Sequence, residues 1–476
     1  MIFNSFQFLW LFPIVFAVYY MLGYFFQKRK IGNGSNRVLL VLSYVLYMQY
    51  VPWCALVLLW VTIISYSMAL CIFKYPQFKA TICWIGVIMG IFPLLLFKYY
   101  DFLAENVNIF LGHNCLHGLD LILPIGISFF SFQAIGYLID VYKNRICPEK
   151  SFFDYALFVS FFPQIMSGPI SRANDLLPQI KACRIFDYKM AVQGLKYLLW
   201  GMFLKTVMAD RLGLYVDSVY GNYVYQSGVS CLIASLMYTF QIYGDFAGYS
   251  LMAIGVGKLM GFNLTNNFHR PYFASSITEF WKRWHISLTR WLTTYIYIGL
   301  GGNRCSKFRQ YCNIMITFLV SGIWHGANWT FILWGSVHGF LQCLEKVLGL
   351  DPKGKITCSY HFRGLKLIRV IITFILVDFT WILFRSPNVD VARIIFRKIL
   401  YCEGTGVFLP SNSTLGFMGI ALIVVFLKEL CEEYFPKIRL FQNGNRIVRW
   451  SSYLIVISMI IICGVFDSSQ FIYVKF

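Results

Sequence analysis

The distribution of apolar residues along the chain predicts a series of membrane-spanning helices. A helix needs about 20 largely apolar residues to cross the hydrocarbon core of a bilayer. Such stretches recur over the whole sequence, at 5–26, 38–50, 53–73, 80–99, 191–209, 228–243, 311–347 (two spans), 367–384, 414–430 and 451–466. With the apolar stretches that proline, glycine or charge interrupts, the pattern predicts about 11 spans.

Two of the interrupted stretches differ from simple spans. The stretch 121–142 carries Pro124 and Gly126 near one end, and the stretch 158–172 contains Pro163. Irregular backbone at membrane depth is tolerated only where protein or a wet cavity satisfies its polar groups. Both stretches are interpreted as half-helices or re-entrant elements that line a cavity. Ordinary proline-kinked spans are an equally good alternative.

The positions of the basic residues predict the topology of the first spans. Lys and Arg cluster at 28–30, at 74–79 and at 143–150, whereas the intervening connections 47–53 and 101–120 contain neither. Basic loops remain on the cytoplasmic side. The N-terminus is therefore predicted to lie outside the cytoplasm.

Near the C-terminal part of the chain, the alternation of basic and neutral connections breaks down. The ranges 353–369 and 385–398 are both basic, with only one clear span between them. An amphipathic helix near 386–401, lying in the membrane interface with Asp390, Arg393 and Arg397 on its polar side, would explain this.

The composition places the chain among integral membrane proteins. Hydrophobic residues make up 58% and charged residues 13% of the sequence, and the mean hydropathy is +0.63; soluble proteins carry about 25% charged residues. The formal net charge is +20 at pH 7. In a membrane protein this excess fits topology signals and attraction to anionic lipid or an anionic substrate. The cations are scattered between spans, which argues against nucleic-acid binding. The 14 cysteines contain no CxxC pair, and no metal site is predicted.

Two tryptophan–histidine pairs, Trp284-His285 and Trp324-His325, lie in this apolar sequence. Histidine exchanges a proton near neutral pH, and polar groups at membrane depth are by default functional candidates. On a continuous helix, Trp281, Trp284 and His285 would share one face. Arg283 and neighbouring cations would face elsewhere, towards lipid headgroups or a phosphate-bearing donor.

The second pair is embedded in polar and small residues, with Ser321 before it and Asn328 after it. Gly322 and Gly326 leave room for another backbone or an extended substrate. In apolar surroundings His325 would be uncharged at pH 7, as a general base must be. We therefore predict His325 as the catalytic residue.

For three other polar residues a structural role is favoured over a catalytic one. Asp245 either orients a histidine or completes a buried hydrogen-bond network, and the network is favoured. His338 is expected to be structural, and His269 to pack a turn.

The motifs together resemble the membrane-bound O-acyltransferase superfamily, in the branch of the bacterial alginate O-acetylation protein. They run over nearly the whole chain and include FNSFQFLWLFP, LPIGISFFSFQAIGYLIDVYK, FFPQIMSGPI, YGDFAGYS, FWKRWHISLTRW, YIYIGLGGNR and SGIWHGANWTFILWGSVHG. The sequence departs from the branch at Thr293-Thr294 and Gly299, where relatives usually have a charged pair and a proline.

The resemblance implies an all-α, polytopic fold of one domain, 1–476, around a central channel. N-terminal spans would occupy 1–120, the catalytic core 121–347 and C-terminal spans 348–476. It implies that His325 matches the catalytic histidine of the superfamily and His285 the second functional histidine. The channel would be shaped by residues around them: Trp281, Trp284, Trp324, Ser321, Asn328, Asp245 and Arg283.

The implied activity is O-acyl transfer, with acetyl the expected group, in the bacterial inner membrane. The donor would be a cytoplasmic thioester, acetyl-CoA or an acyl carrier protein, with no permanently bound cofactor. The acceptor would be a hydroxyl of an exported polysaccharide or of a relay partner such as an extracytoplasmic SGNH-type acyltransferase. D-alanyl transfer to teichoic acid is the second interpretation. A lipid or glycan transporter and a non-catalytic scaffold are the alternatives from other classes.

Overall fold

The computed structural model describes residues 3–466 apart from 29–33, 50, 183, 351–362, 436–437 and 439. The regular secondary structure of these residues is helical throughout. The α-helices are α1 Phe6–Lys28, α2 Gly34–Met48, α3 Cys54–Lys74, α4 Lys79–Leu94, α5 Tyr100–Leu111, α6 Ile127–Tyr142, α7 Phe152–Ser160, α8 Phe162–Ile165, α9 Ala173–Lys181, α10 Tyr188–Met202, α11 Asp210–Gly221, α12 Gly228–Leu259, α13 Ile277–Arg283, α14 Ile286–Leu292, α15 Lys307–His325, α16 Trp329–Val347, α17 Arg363–Arg385, α18 Val389–Leu400, α19 Asn412–Tyr434 and α20 Arg446–Cys463. Short π-helical stretches occur at Leu95–Tyr99, Phe203–Ala209 and Thr293–Tyr297, and 3-10 turns at Pro76–Phe78, Pro271–Phe273 and Leu440–Gln442.

The apolar helices confirm the fold class, an all-α polytopic membrane protein. Six helical stretches of the described chain are long and apolar enough to cross a bilayer: Phe6–Phe26, Cys54–Lys74, Pro76–Leu111, Gly364–Arg385, Asn412–Tyr434 and Arg446–Cys463. The other predicted spans also fall on helices, namely α2, α10, α12, α15 and α16. The total of about 11 spans and the central channel stay predictions.

The two interrupted stretches have different structures. The first is a single helix, α6, preceded by Gly126 at a φ of 74°. A Cβ at Gly126 would collide with the carbonyl of Ile165, which explains the glycine. The second is broken: α7 ends at Ser160, α8 lasts four residues, and the chain beyond it is non-helical but buried. Residues 121–126, before α6, are non-helical as well, so both stretches contain irregular backbone and the half-helix interpretation stays a prediction for both.

The predicted amphipathic helix near 386–401 is present as α18. Val391, Ala392 and Ile395 are buried, whereas Asp390, Arg393 and Arg397 are exposed. The two faces match the predicted division into an apolar and a polar side.

The chain forms two compact units. The first contains residues 1–198 and 253–265, and α3, α4 and α6 pack against one another within it. The second contains residues 199–252 and 266–476, and includes the hairpin of α15 and α16, on which α13 and α17 pack. Both tryptophan–histidine pairs belong to the second unit. The predicted single domain, with its divisions at 120/121 and 347/348, stays a prediction.

Candidate active site

The hairpin of α15 and α16 positions His325. This histidine is the last residue of α15, and Gly326 follows it as the C-cap. A Cβ on Gly322 would collide with the carbonyl of Phe331, and one on Gly335 with the carbonyl of Phe318. The glycines therefore let the two backbones pack closely. The sequence left open whether the small residues near His325 make room for another backbone or for an extended substrate. At Gly322, another backbone occupies the space.

Aromatic rings enclose His325. The centroid of its ring lies 4.9 Å from that of Trp324, 5.1 Å from that of Trp334 and 5.2 Å from that of Phe384. Only 3% of the residue is exposed. The imidazole therefore lies among apolar rings. Trp334 and Phe384 were not predicted, because Trp334 follows His325 at a spacing that suggested no contact and Phe384 lies on α17, far from His325 in the sequence.

His285 lies in a strained break between two short helices. Trp284 is extended, with φ −102° and ψ 132°, and His285 is left-handed, with φ 43° and ψ 53°. A non-glycine residue in this region costs of order 1–3 kcal/mol, and such residues cluster at functional sites. The face that Trp281, Trp284 and His285 would share on a continuous helix is not formed, since α13 ends at Arg283 and α14 begins at Ile286.

Asn267 ties this break together. Its backbone carbonyl accepts a hydrogen bond from Ile286 N at 2.9 Å. Its side-chain Oδ1 accepts from Ser287 N at 3.0 Å and Ser287 Oγ at 2.9 Å, and lies 3.2 Å from His285 Nδ1. Asn267 was not predicted as a site residue. The polar dipeptide Asn266-Asn267 in a loop was the available signal, but nothing in its spacing pointed to His285.

The two pairs meet in the fold. The ring centroids of His285 and His325 are 6.5 Å apart. Trp324 lies against both rings, 5.8 Å from that of His285. The ring of Phe246, from α12, contacts His285 at 4.6 Å. At this separation the imidazoles cannot share a direct hydrogen bond.

The other predicted tryptophans belong to the surrounding aromatic cluster. Trp284 is 1% exposed and packs on Trp381 at 5.0 Å. The indole N–H of Trp281 donates to His338 Nδ1 at 3.3 Å, and its ring lies 5.6 Å from that of Trp334. Trp281 is thus separated from His325 by one intervening ring.

The guanidinium of Arg283 binds two carboxylates. It lies 2.6 Å from Glu279 and 2.9 Å from Glu433, and 1% of the residue is exposed. Burial raises the pKa of Glu279, but hydrogen bonds from Ser275 and Arg283 outweigh it and hold that pKa below its ordinary value. The contacts place Arg283 in a buried charge network. A contact with a donor, as the sequence suggested, stays a prediction.

Ser321 and Asn328 flank the pair Trp324-His325. Asn328 is the N-cap of α16: its Oδ1 accepts from Thr330 N at 3.0 Å, and its Nδ2 donates to Pro387 O at 2.6 Å. Ser321 is 2% exposed, and its Oγ has no hydrogen-bond partner in the described part of the chain. Ser321 lies one helical turn before His325.

Asp245 takes part in a buried ionic network. It lies 2.6 Å from Lys205, which is also 2.5 Å from Asp210, and all three side chains are 1% exposed. Gly248 permits the approach, because a Cβ there would meet the backbone N of Lys205 at 3.0 Å. The geometry matches the network interpretation of Asp245, and Lys205 was not predicted.

His338 and His269, the two histidines expected to be structural, have protein partners. His338 accepts from Trp281 and lies 2.9 Å from Thr380 Oγ1. His269 Nε2 lies 2.8 Å from Arg270. Burial lowers the pKa of His269, and the cations of Arg270 and Arg283 act in the same direction. Their partners fit the structural roles expected for both.

Comparison with known protein families matches residues 2–350 to the membrane-bound O-acyltransferase family. The chain belongs to this family. The protein is therefore an acyltransferase, and its relatives include proteins named as O-acetyltransferases. In the described ranges, no group of three or more His, Cys, Asp or Glu side chains could hold a metal ion.

Three relatives of this membrane-bound O-acyltransferase illustrate the range of names. The probable alginate O-acetylase AlgI of Pseudomonas aeruginosa is 37% identical over 420 residues, covering 82% of this chain and 73% of that protein. The peptidoglycan O-acetyltransferase of Helicobacter pylori is 37% identical over 330 residues, covering 64% and 62%. The teichoic acid D-alanyltransferase of Streptococcus thermophilus is 31% identical over 228 residues, covering 45% and 55%.

Proposed function

We propose that this enzyme transfers an acetyl group from a cytoplasmic thioester to a hydroxyl reached from the opposite side of the membrane. The supporting observation is the pair of buried imidazoles, with ring centroids 6.5 Å apart, contributed by separate helical elements. His325 is the proposed general base, and His285 positions a substrate. General-base assistance is worth about 10²–10⁴ in rate.

The proposed reaction needs no resident cofactor. His325 takes the proton of the acceptor hydroxyl as its oxygen attacks the thioester carbonyl. The tetrahedral intermediate then collapses and expels the thiolate, which receives that proton from the imidazolium. The products are an ester and a free thiol, so atoms and charge balance. Trp324, Trp334 and Phe384 exclude water, which would otherwise compete as acceptor.

Exposed cations support an anionic donor, either acetyl-CoA or an acyl carrier protein. The sequence contains no Asp or Glu between Glu279 and Glu345. Five cations of this stretch are exposed: Lys282, Arg290, Arg304, Lys307 and Arg309. Exposed cations attract phosphate groups or an acidic protein. Thr293-Thr294 replaces the charged pair usual in the branch, so these cations are the proposed donor contacts.

The acceptor is proposed to be a cell-envelope glycan, or a relay partner that passes the group on. The names of the alginate and peptidoglycan relatives support a glycan. A relay would use an extracytoplasmic SGNH-type acyltransferase. The proposed location is the bacterial inner membrane with the N-terminus outside the cytoplasm. D-alanyl transfer to teichoic acid is the second candidate, which the Streptococcus relative supports.

The test uses purified protein in nanodiscs with radiolabelled acetyl-CoA, acetylated carrier protein or D-alanylated carrier protein. Glycan oligomers are supplied as acceptors. Donor thiol release and label in the glycan are both measured. We expect His325→Ala and His325→Gln to lower turnover by about 10²–10⁴. His117→Ala is the matched control, since His117 is exposed.

Three outcomes would count against parts of the proposal. Full turnover in correctly folded His325→Gln would exclude His325 as the base. Activity with the D-alanyl donor alone would favour the second candidate. Label that reaches glycan only when a soluble extracytoplasmic partner is added would favour the relay over direct transfer.

A further inference from the structure

We propose that Asn267 is a positioning residue that fixes the tautomer of His285, placing the proton on Nδ1 and making Nε2 a hydrogen-bond acceptor. The assignment of a substrate role to that acceptor rests on the proposed acyl transfer. The tautomer itself follows from the hydrogen bonds around Asn267.

The orientation of the Asn267 carboxamide is set by Ser287. The backbone N of Ser287 can only donate, and it lies 3.0 Å from Asn267 Oδ1. The side-chain atom at that position must therefore be the carboxamide oxygen and not its nitrogen. The Ser287 hydroxyl donates to the same oxygen at 2.9 Å. Two donors from one residue fix the amide in a single orientation.

The same oxygen determines where His285 carries its proton. Asn267 Oδ1 lies 3.2 Å from His285 Nδ1, and a carboxamide oxygen accepts but does not donate. Nδ1 is therefore the N–H of the ring. Neutral imidazole carries one N–H, so Nε2 bears the lone pair. His285 is fully buried, which favours this neutral form.

The tautomer of His285 decides between two roles: donating a hydrogen bond to an oxyanion, or accepting one from an O–H group. Stabilising the oxyanion of a tetrahedral intermediate requires a donor, and Nε2 of this tautomer has no proton to donate. Nε2 can accept a hydrogen bond from an O–H group. The attacked hydroxyl has one proton, and His325 takes it in the proposed reaction. In the proposed reaction we assign that donor to a second O–H of the acceptor, as a sugar with neighbouring hydroxyls supplies.

Nitrogen-15 NMR of the histidine rings tests the tautomer without any assay of turnover. Full-length protein in nanodiscs is labelled on histidine, and the His285 signals are assigned by their loss in His285→Gln. We expect a protonated Nδ1 and an unprotonated Nε2 in the wild type. In Asn267→Ala we expect the Nδ1 preference to be lost. A wild-type spectrum with the proton on Nε2 would overturn the proposal.

Kinetics test whether the tautomer matters for the reaction. We expect Asn267→Ala to lower kcat/KM for the acceptor by about 100-fold, the effect of a small misplacement at a reacting centre. The donor KM should not change. Asn267→Asp keeps an oxygen acceptor for Nδ1, but its carboxylate favours the imidazolium, which carries a proton on both nitrogens. It should therefore leave Nε2 without its lone pair and not restore the activity.

Ser287→Ala is the matched control. It removes one hydrogen bond to the same oxygen but keeps the contact between Asn267 and His285. If Ser287→Ala and Asn267→Ala lower acceptor kcat/KM equally, Asn267 only braces the turn and the proposal is wrong. A wild type that transfers no acetyl group would defeat the proposed function, whereas the NMR result would still decide the tautomer.

Discussion

Replacing Arg283 by Met tests whether this side chain is structural. The guanidinium lies 2.6 Å from Glu279 and 2.9 Å from Glu433. Removing one partner of a buried ion pair costs about 3–5 kcal/mol, because it leaves an uncompensated charge. Glu433 keeps Arg270 at 2.7 Å, and Glu279 keeps two hydrogen bonds from Ser275. We therefore expect the lower end, about 3 kcal/mol, more than a hundredfold in the unfolding equilibrium.

The assay is denaturant unfolding in mixed micelles, combined with the donor KM of the folded fraction. Glu279→Gln and the double variant complete a thermodynamic cycle. Because the double variant has lost both charges, it should recover part of the stability lost in Arg283→Met. Lys282→Met is the control: Lys282 is the exposed neighbour on α13, and its replacement should change stability by about 0.5 kcal/mol or less.

Wild-type stability in Arg283→Met, together with a raised donor KM, would refute this reasoning. It would show that Arg283 contacts the donor, as the sequence pattern suggested. Lower stability with an unchanged KM is the expected result.

Three further outcomes follow from the packing and charges. Gly335→Leu should abolish the folded hairpin, since its side chain would collide with the Phe318 carbonyl; a normal yield of monodisperse protein would contradict this. Lys205→Met removes the ammonium shared by Asp210 and Asp245 and should cost about 3–5 kcal/mol in unfolding free energy, with partial recovery on adding Asp245→Asn; equal stability of the two variants would argue against it. Because the folded pKa of Glu279 lies below its ordinary value, its ionised form stabilises the fold at neutral pH. That contribution should fall away as the pH drops below the ordinary glutamate range and through the folded pKa, and Glu279→Gln should flatten the pH dependence of unfolding; identical pH profiles would contradict it.

The sequence predicted the helical class well, because long apolar runs have few structural solutions in a bilayer. The sequence also pointed to His285 and His325, whose ring centroids lie 6.5 Å apart in the structure, and their catalytic roles stay predictions. It failed where helical periodicity was extended across a break. Residues 281–292 have apolar residues at helical spacing, yet the chain turns at Trp284-His285. That turn is held by Asn267, through contacts that periodicity does not encode.

Arg283 shows that the partner of a buried charge could not be predicted from the local sequence either. A cation beside a histidine pair suggests a substrate contact, but its ion-pair partner Glu433 belongs to α19, far away in the sequence. Asp245 illustrates the opposite case. A carboxylate in an apolar stretch needs a cation, so a buried network could be predicted, although Lys205 could not be named.

The left-handed backbone at His285 has a consequence for engineering. Glycine accepts this conformation without strain, so His285→Gly removes a backbone penalty of order 1–3 kcal/mol. It also deletes a fully buried ring that packs on Phe246, and truncating a large buried side chain costs about 2–5 kcal/mol. The two effects oppose each other, so a library screened only for heat resistance would report on packing at this position and not on what the imidazole does.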